Sequence, residues 1–124
     1  MTVRQIPTVV LPQIAPLGTE LEVVADAVEH VSVSFPVDSL QEKTVQIYAV
    51  LAVAAAPLSV WIEVAPADVA AAYVILGAPA VLAVTGDAVL QWTTHSSFAR
   101  VVVQCPAWAA GMWVCQVTME GKGP

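Results

Sequence analysis

The chain has 124 residues, enough to bury one core without metal or multiple disulfide staples, and reads as a single domain. It is 58% hydrophobic and only 11% charged, so charge cannot cover a monomer's surface, and an oligomer or a subunit of a larger assembly is expected. A net charge of −6, with Arg4, Lys43, Arg100 and Lys122 as the positive side chains, disfavours binding to nucleic-acid phosphates or to an anionic membrane surface.

Residues Met1–Gly18, MTVRQIPTVVLPQIAPLG, are apolar but carry prolines at 7, 12 and 16. Proline fixes its own φ and pushes the preceding residue towards extended backbone, which predicts an extended arm over 1–18. The prolines also leave no unbroken apolar stretch of the kind a signal peptide needs. Such an apolar arm is either packed along its own domain or laid on a neighbour; because an arm that cannot bury itself is a solubility liability, contact with a neighbouring subunit through Ile6, Val9, Val10, Leu11, Ile14 and Leu17 is the favoured expectation. Residues 19–124 are assigned to one β-sandwich domain.

After Gly18 the hydrophobic period becomes two, as in half-buried strands. ELEVVAD alternates Leu21, Val23 and Ala25 against acidic positions, and HVSVSF sets Val31, Val33 and Phe35 against His30, Ser32 and Ser34. A turn over Pro36–Glu42 leads to KTVQIYAVLAV, which alternates cleanly at first and is apolar on both sides after Tyr48, as for a strand entering a covered region. LSVWIEVAP places Leu58, Val60, Ile62 and Val64 inward, with Trp61 and Glu63 outward. In ADVAAAYVILG a loop or short helical turn around Asp68 is expected before a strand over Ala72–Leu76, ended by Gly77 and Pro79. AVLAVTGDAVLQWTT reads as a hairpin, with its turn at Thr85–Asp87 between strands at Val81–Val84 and Ala88–Thr93. A last hairpin is expected between Phe98–Cys105 and Met112–Glu120, in a register that sets Cys105 opposite Cys115, Gln104 opposite Gln116 and Val103 opposite Val117.

Short strands at such spacing, with no long amphipathic helix, predict an all-β fold: an antiparallel β-sandwich or jelly roll with an extended N-terminal arm. The competing class is α+β, with YAVLAVAAA or ADVAAAYVIL helical. The apolar run Val69–Val84 is shorter than the ~20 residues a spanning helix needs and is interrupted by Gly77 and Pro79, so no transmembrane segment is expected.

The residues that bear chemistry form no recognisable constellation, and neither a catalytic site nor a cofactor is read. Cys105 and Cys115 are candidates for a cross-strand disulfide; two small apolar core residues in a reducing compartment is the preferred reading. His30 and His95 have no ligand-like spacing to these cysteines, so no metal site is expected. In THSS (93–96) neighbouring side chains on a strand point to opposite faces and no nucleophile elbow is present, which favours a polar turn whose hydroxyls bond local backbone. The acidic residues are scattered singly, without calcium-loop spacing. Of the four tryptophans, Trp61 and Trp92 are predicted outward-facing and Trp108 lies in the loop PAWAAG; they are expected at subunit interfaces, with sugar stacking as the alternative. Arg100, at a strand start, is expected to anchor a carboxylate within the subunit or across an interface.

The segments LSVWIEV, LQWTTHSSFARVVVQCP and WVCQVTMEGKG resemble small β-sandwich proteins encoded in the structural regions of tailed phages and prophages, such as capsid decoration or head-associated proteins. The resemblance implies a non-enzymatic structural subunit located in the virion, or in the cytoplasm on synthesis, whose partners are copies of itself or other virion proteins. It carries over no site residue. The alternative expectation is a carbohydrate-binding module that uses exposed tryptophans.

Overall fold

In a computed structural model, residues 5–9, 21–32, 34–107 and 111–122 are described. Their strands are β1 (Gln5–Val9), β2 (Leu21–Val24), β3 (His30–Val31), β4 (Phe35–Pro36), β5 (Glu42–Val53), β6 (Leu58–Ala65), β7 (Val74–Leu82), β8 (Gly86–Trp92), β9 (Phe98–Gln104) and β10 (Met112–Lys122). The helical content of the described residues is one 3-10 turn, Ala70–Ala72. ADVAAAYVIL therefore gives a short turn and a strand, and YAVLAV belongs to β5 with the three alanines after it in the loop to β6, which sets aside the α+β alternative.

The strands form two antiparallel sheets. Sheet I runs β1 and β2 end to end along β10, then β5, then β8; sheet II runs β3 and β4 end to end along β9, then β6, then β7. The chain crosses between sheets at nearly every connection, with β6–β7 the one long pair that stays in its own sheet. Taken with β3 and β4 as one interrupted strand, this is the double-sheet order of a jelly roll.

Alternation decides which side chains enter the core. Val45, Ile47 and Ala49 of β5, with Trp113, Cys115 and Val117 of β10, face Leu58, Val60, Ile62 and Val64 of β6 and Ala99, Val101 and Val103 of β9. The far end of β5 is less covered than its apolar text predicts: Val50 and Leu51 are half-buried and Val53 is exposed.

Both predicted hairpins are replaced by crossovers. Strands β7 and β8 pair with β6 and β5, in different sheets, so the Thr85–Asp87 turn carries the chain over the edge of the sandwich. Strand β9 likewise pairs with β6 and β10 with β5, which puts Cys115 opposite Ala49 and Val117 opposite Ile47. The residues expected to share a face do share the core, but across the sandwich rather than along one sheet. A matched apolar pattern specifies a common core; it does not say whether two strands are neighbours in a ladder or opposed in facing sheets.

Two further departures have local causes. HVSVSF is two short strands because the Ser32 hydroxyl accepts the Val101 N–H at 2.9 Å, taking a place the backbone ladder would fill. Strand β7 continues through Gly77 and Pro79, where a strand end was expected, because it is an edge strand: Pro79 has no ladder partner to lose, and Gly77 adopts φ +71° opposite a register shift between Val60 and Ile62.

The N-terminal segment is extended as expected over the residues that are described. Gln5–Val9 pairs with Thr118–Lys122 of its own chain.

Candidate functional site

The outer face of sheet II is closed by a polar network. Trp61, Glu63 and Arg100 point to this face because they alternate with the core positions of β6 and β9, where Glu63 pairs directly with Arg100. The Arg100 Nε donates to Glu63 Oε1 at 2.7 Å, and its Nη2 lies 2.7 Å from the same oxygen. The second carboxylate oxygen accepts the Trp61 indole N–H at 3.0 Å. The Arg100 guanidinium also stacks 4.0 Å from the centroid of the Tyr73 ring, and the Tyr73 hydroxyl donates to Asp68 at 3.0 Å. Burial pushes the Tyr73 phenol above its ordinary range, with Asp68 adding to the shift. The carboxylate that Arg100 anchors is thus Glu63, within the subunit. Trp61 faces outward as predicted, yet it is buried, folded onto its own sheet.

Trp92 is not outward-facing. It packs into the core, and among the described residues its indole N–H has no acceptor. Lys43 lies 5.9 Å from this ring, almost fully buried, and donates to the Thr94 and Leu40 carbonyls at 3.0 and 3.4 Å. Desolvation lowers its pKa from the ordinary lysine value. These bonds fasten the loop that contains THSS: Lys43 holds Thr94, Ser96 donates to the Phe98 carbonyl at 3.4 Å, and the Ser97 carbonyl accepts the Val37 N–H at 2.9 Å. His95 is exposed on this loop, which joins β8 to β9 across the two sheets.

Cys105 and Cys115 are free buried thiols. The Cys105 thiol donates to the Ala56 carbonyl at 3.4 Å, an acceptor shared with the Trp113 indole N–H at 3.0 Å. Burial raises both thiol pKa values, that of Cys115 to about 12. Of the remaining predicted contacts, Ile6 and Val9 fall in β1, in register with Gly121 and Thr118. Val10, Leu11, Ile14, Leu17 and Trp108 lie outside the described residues.

Among the described residues two open surfaces stand out. On the outer face of sheet I, Tyr48 is the one exposed aromatic side chain among the described residues; Gln46, Gln116 and Asp87 surround it in the ladder, with Thr44, Thr118 and Gln91 beyond. The other is the β7 edge, which sequence reasoning did not select. Among the described residues ten large hydrophobic side chains are exposed, and six of them (Val69, Val74, Ile75, Val81, Val84 and Val89) lie on β7, its flanking segments or the neighbouring edge strand β8. Half of the ten, Val69 to Val84, thus gather on β7 and the segments that flank it, whereas Val89 stands opposite Gln46 on the outer face of sheet I. Between the two edge strands opens a cavity of ≈ 410 Å³, lined in part by Ile62, Leu76, Gly77, Leu90 and Trp92. A sequence signal for this edge exists: from Val69 to Gly86 the chain carries no charged residue.

No family model matches the chain, and no curated protein matches it. Solved structures do. A chain of the T13 infectious bursal disease virus particle superposes with TM-score 0.62 at 10% identity, over 97% of this chain and 31% of the viral one. The shared fold is a β-sandwich of the jelly-roll type seen in viral particles. This chain spans about a third of the length of such viral chains. A family 16 carbohydrate-binding module superposes with TM-score 0.53 at 10% identity, over 89% of this chain and 82% of the other. A structure described as CBM4 gives TM-score 0.55 at 12% identity, over 75% and 60%. At these identities the likeness concerns the fold.

Proposed function

We propose that this protein is a non-enzymatic structural subunit of a larger assembly, a virion component of the capsid decoration or head-associated kind found in tailed phages, which self-associates through exposed apolar surface. The observation that carries the reading is the concentration of exposed aliphatic side chains on the β7 edge, in a chain too poor in charge to solvate that edge otherwise. The recurrence of the fold in viral particles supports it. Light scattering on the purified full-length chain over a range of concentrations is expected to give a mass above one chain, whereas a strict monomer at every concentration would contradict self-association. Mass spectrometry of purified phage particles from a host that carries the gene tests the virion assignment; particles lacking the chain would remove it.

A second reading, glycan binding, is favoured by the Tyr48 face, where an exposed ring has the Gln116 amide and the Asp87 carboxylate as its cross-strand neighbours. It relocates the aromatic contact from Trp61 and Trp92, which are buried, to Tyr48. A glycan array is the test, and binding that survives Tyr48→Ala unchanged would rule out this face.

A further inference from the structure

The β7 edge has features that select its partner. We infer that β7 pairs antiparallel with β7 of a second copy, about a two-fold axis near Ala78, extending sheet II across the subunit boundary. The inference rests on the reading of the chain as an assembly subunit and names the surface and the partner.

Three observations converge on this pairing. First, β7 is bonded to β6 along one side only; among the described residues no strand pairs with its other side, so its outward backbone groups form an open template. Native edges are usually blunted with lysine, yet here the nearest charges in sequence are Asp68 and Asp87, both beyond the ends of the strand. Second, each copy carries a net charge of −6, so two copies repel wherever acidic surfaces meet, and the Val69–Gly86 stretch lets them approach without opposing charges. A cationic partner would gain nothing there and would be drawn to the acidic surfaces instead. Third, the irregularity of β7 is symmetric. It bonds to β6 through Val74–Leu76 and again through Ala80–Leu82, with Gly77, Ala78 and Pro79 between.

A two-fold axis at Ala78 places Val74 of one copy opposite Leu82 of the other, Ile75 opposite Val81 and Leu76 opposite Ala80. Each short ladder then meets its complement. Pro79, which has no N–H to donate, falls opposite Gly77, where no ladder bond to β6 is made in either copy. Ile75 and Val81, 54% and 61% exposed in the single chain, become a cross-strand aliphatic pair on either side of the axis. An antiparallel edge is self-complementary under two-fold rotation, so the contact closes as a dimer.

The test uses the full-length chain and three variants: Ile75→Lys, Val81→Lys and Ala78→Cys. The first two alter exposed positions, and circular dichroism is the check that they fold. The wild type is expected to give the mass of a dimer or a multiple of it. Each lysine variant should fall to a lower mass at the same concentration, with the dimer lost. Ala78→Cys should form an inter-subunit disulfide under mild oxidation, which the buried wild-type thiols do not form. If the wild type self-associates but the lysine variants keep its mass, or Ala78→Cys does not cross-link, the β7 pairing is overturned while the assembly reading stands. A wild type that is monomeric throughout overturns both.

Discussion

Arg100 and Glu63 show what can be settled at the scale of single side chains. Their side chains are 20% and 12% exposed, and the carboxylate serves two donors, Arg100 and the Trp61 indole. A pair at this depth is screened less than a surface ion pair, and removing one partner strands the other in a half-buried position. Thermal or urea unfolding of Arg100→Met, Glu63→Gln and the double variant is expected to give a coupling energy of about 1–2 kcal/mol, the size of one charge-assisted hydrogen bond. A coupling within error of zero would mean that Tyr73 stacking and Trp61 packing hold this face instead. That Arg100 seeks a carboxylate followed from residue chemistry, since so few positive charges face ten acidic residues. Which of the ten it meets depended on β9 lying beside β6, and no residue encodes that by itself.

Among the elements, the approach of β10 to the β5–β6 loop has the smallest tolerance. Gly111 is buried immediately before β10, and a Cβ placed there would collide with the Ala55 methyl and lie 2.8 Å from the Ala54 carbonyl oxygen. Gly111 also accepts the Ala25 N–H at 3.0 Å, so its backbone cannot easily withdraw. Gly111→Ala is therefore expected to destabilise the fold by about 1–3 kcal/mol, as overpacking in a closed site does, and a lowered unfolding midpoint with unchanged native circular dichroism would show it. The existence of most strands was legible from period-two alternation, β5 and β6 most clearly. Their pairing was not, as Cys105 and Cys115 show. A ten-residue separation and matched neighbours suggested adjacent strands, whereas both side chains enter one core from opposite sheets. Strand β7 was divided in two because Gly77 and Pro79 read as terminators; on an edge, where one side of the backbone is unbonded, they bend the strand without ending it.

For the molecule as a whole, the buried titratable groups give stability a defined pH profile. Cys115 is pushed up to about 12 from 9.0 by burial, so between these values the unfolded chain has lost a proton that the folded chain keeps. The unfolded state then binds fewer protons, and stability falls as pH rises from about 9 towards 12. Cys105, shifted the same way, adds to the loss. Lys43 acts in the opposite sense: its folded pKa lies below the ordinary 10.5, so the unfolded chain holds the extra proton and stability rises with pH as the buried amine deprotonates. Urea unfolding at stepped pH should show a decline that steepens above pH 9 and is reduced in Cys115→Ala, while Lys43→Met should remove the opposing rise. A Cys115→Ala profile parallel to wild type would place the alkaline loss elsewhere.

By itself the sequence determined the all-β class, the inward face of the main strands, the extended conformation of Gln5–Val9 and the shortage of charge that points to association. Each of these follows from local alternation, proline stereochemistry or composition, which depend only on residues close in the chain. The tertiary structure decided which strands neighbour one another, that Trp61 and Trp92 are covered, and that the exposed aliphatic side chains gather on β7 and its surroundings. Solvent exposure and ladder order are set by long-range packing between the two sheets. An uncharged run such as Val69–Gly86 has the same text whether it lies in a core or on an open edge, and only its place at the end of sheet II makes it a surface.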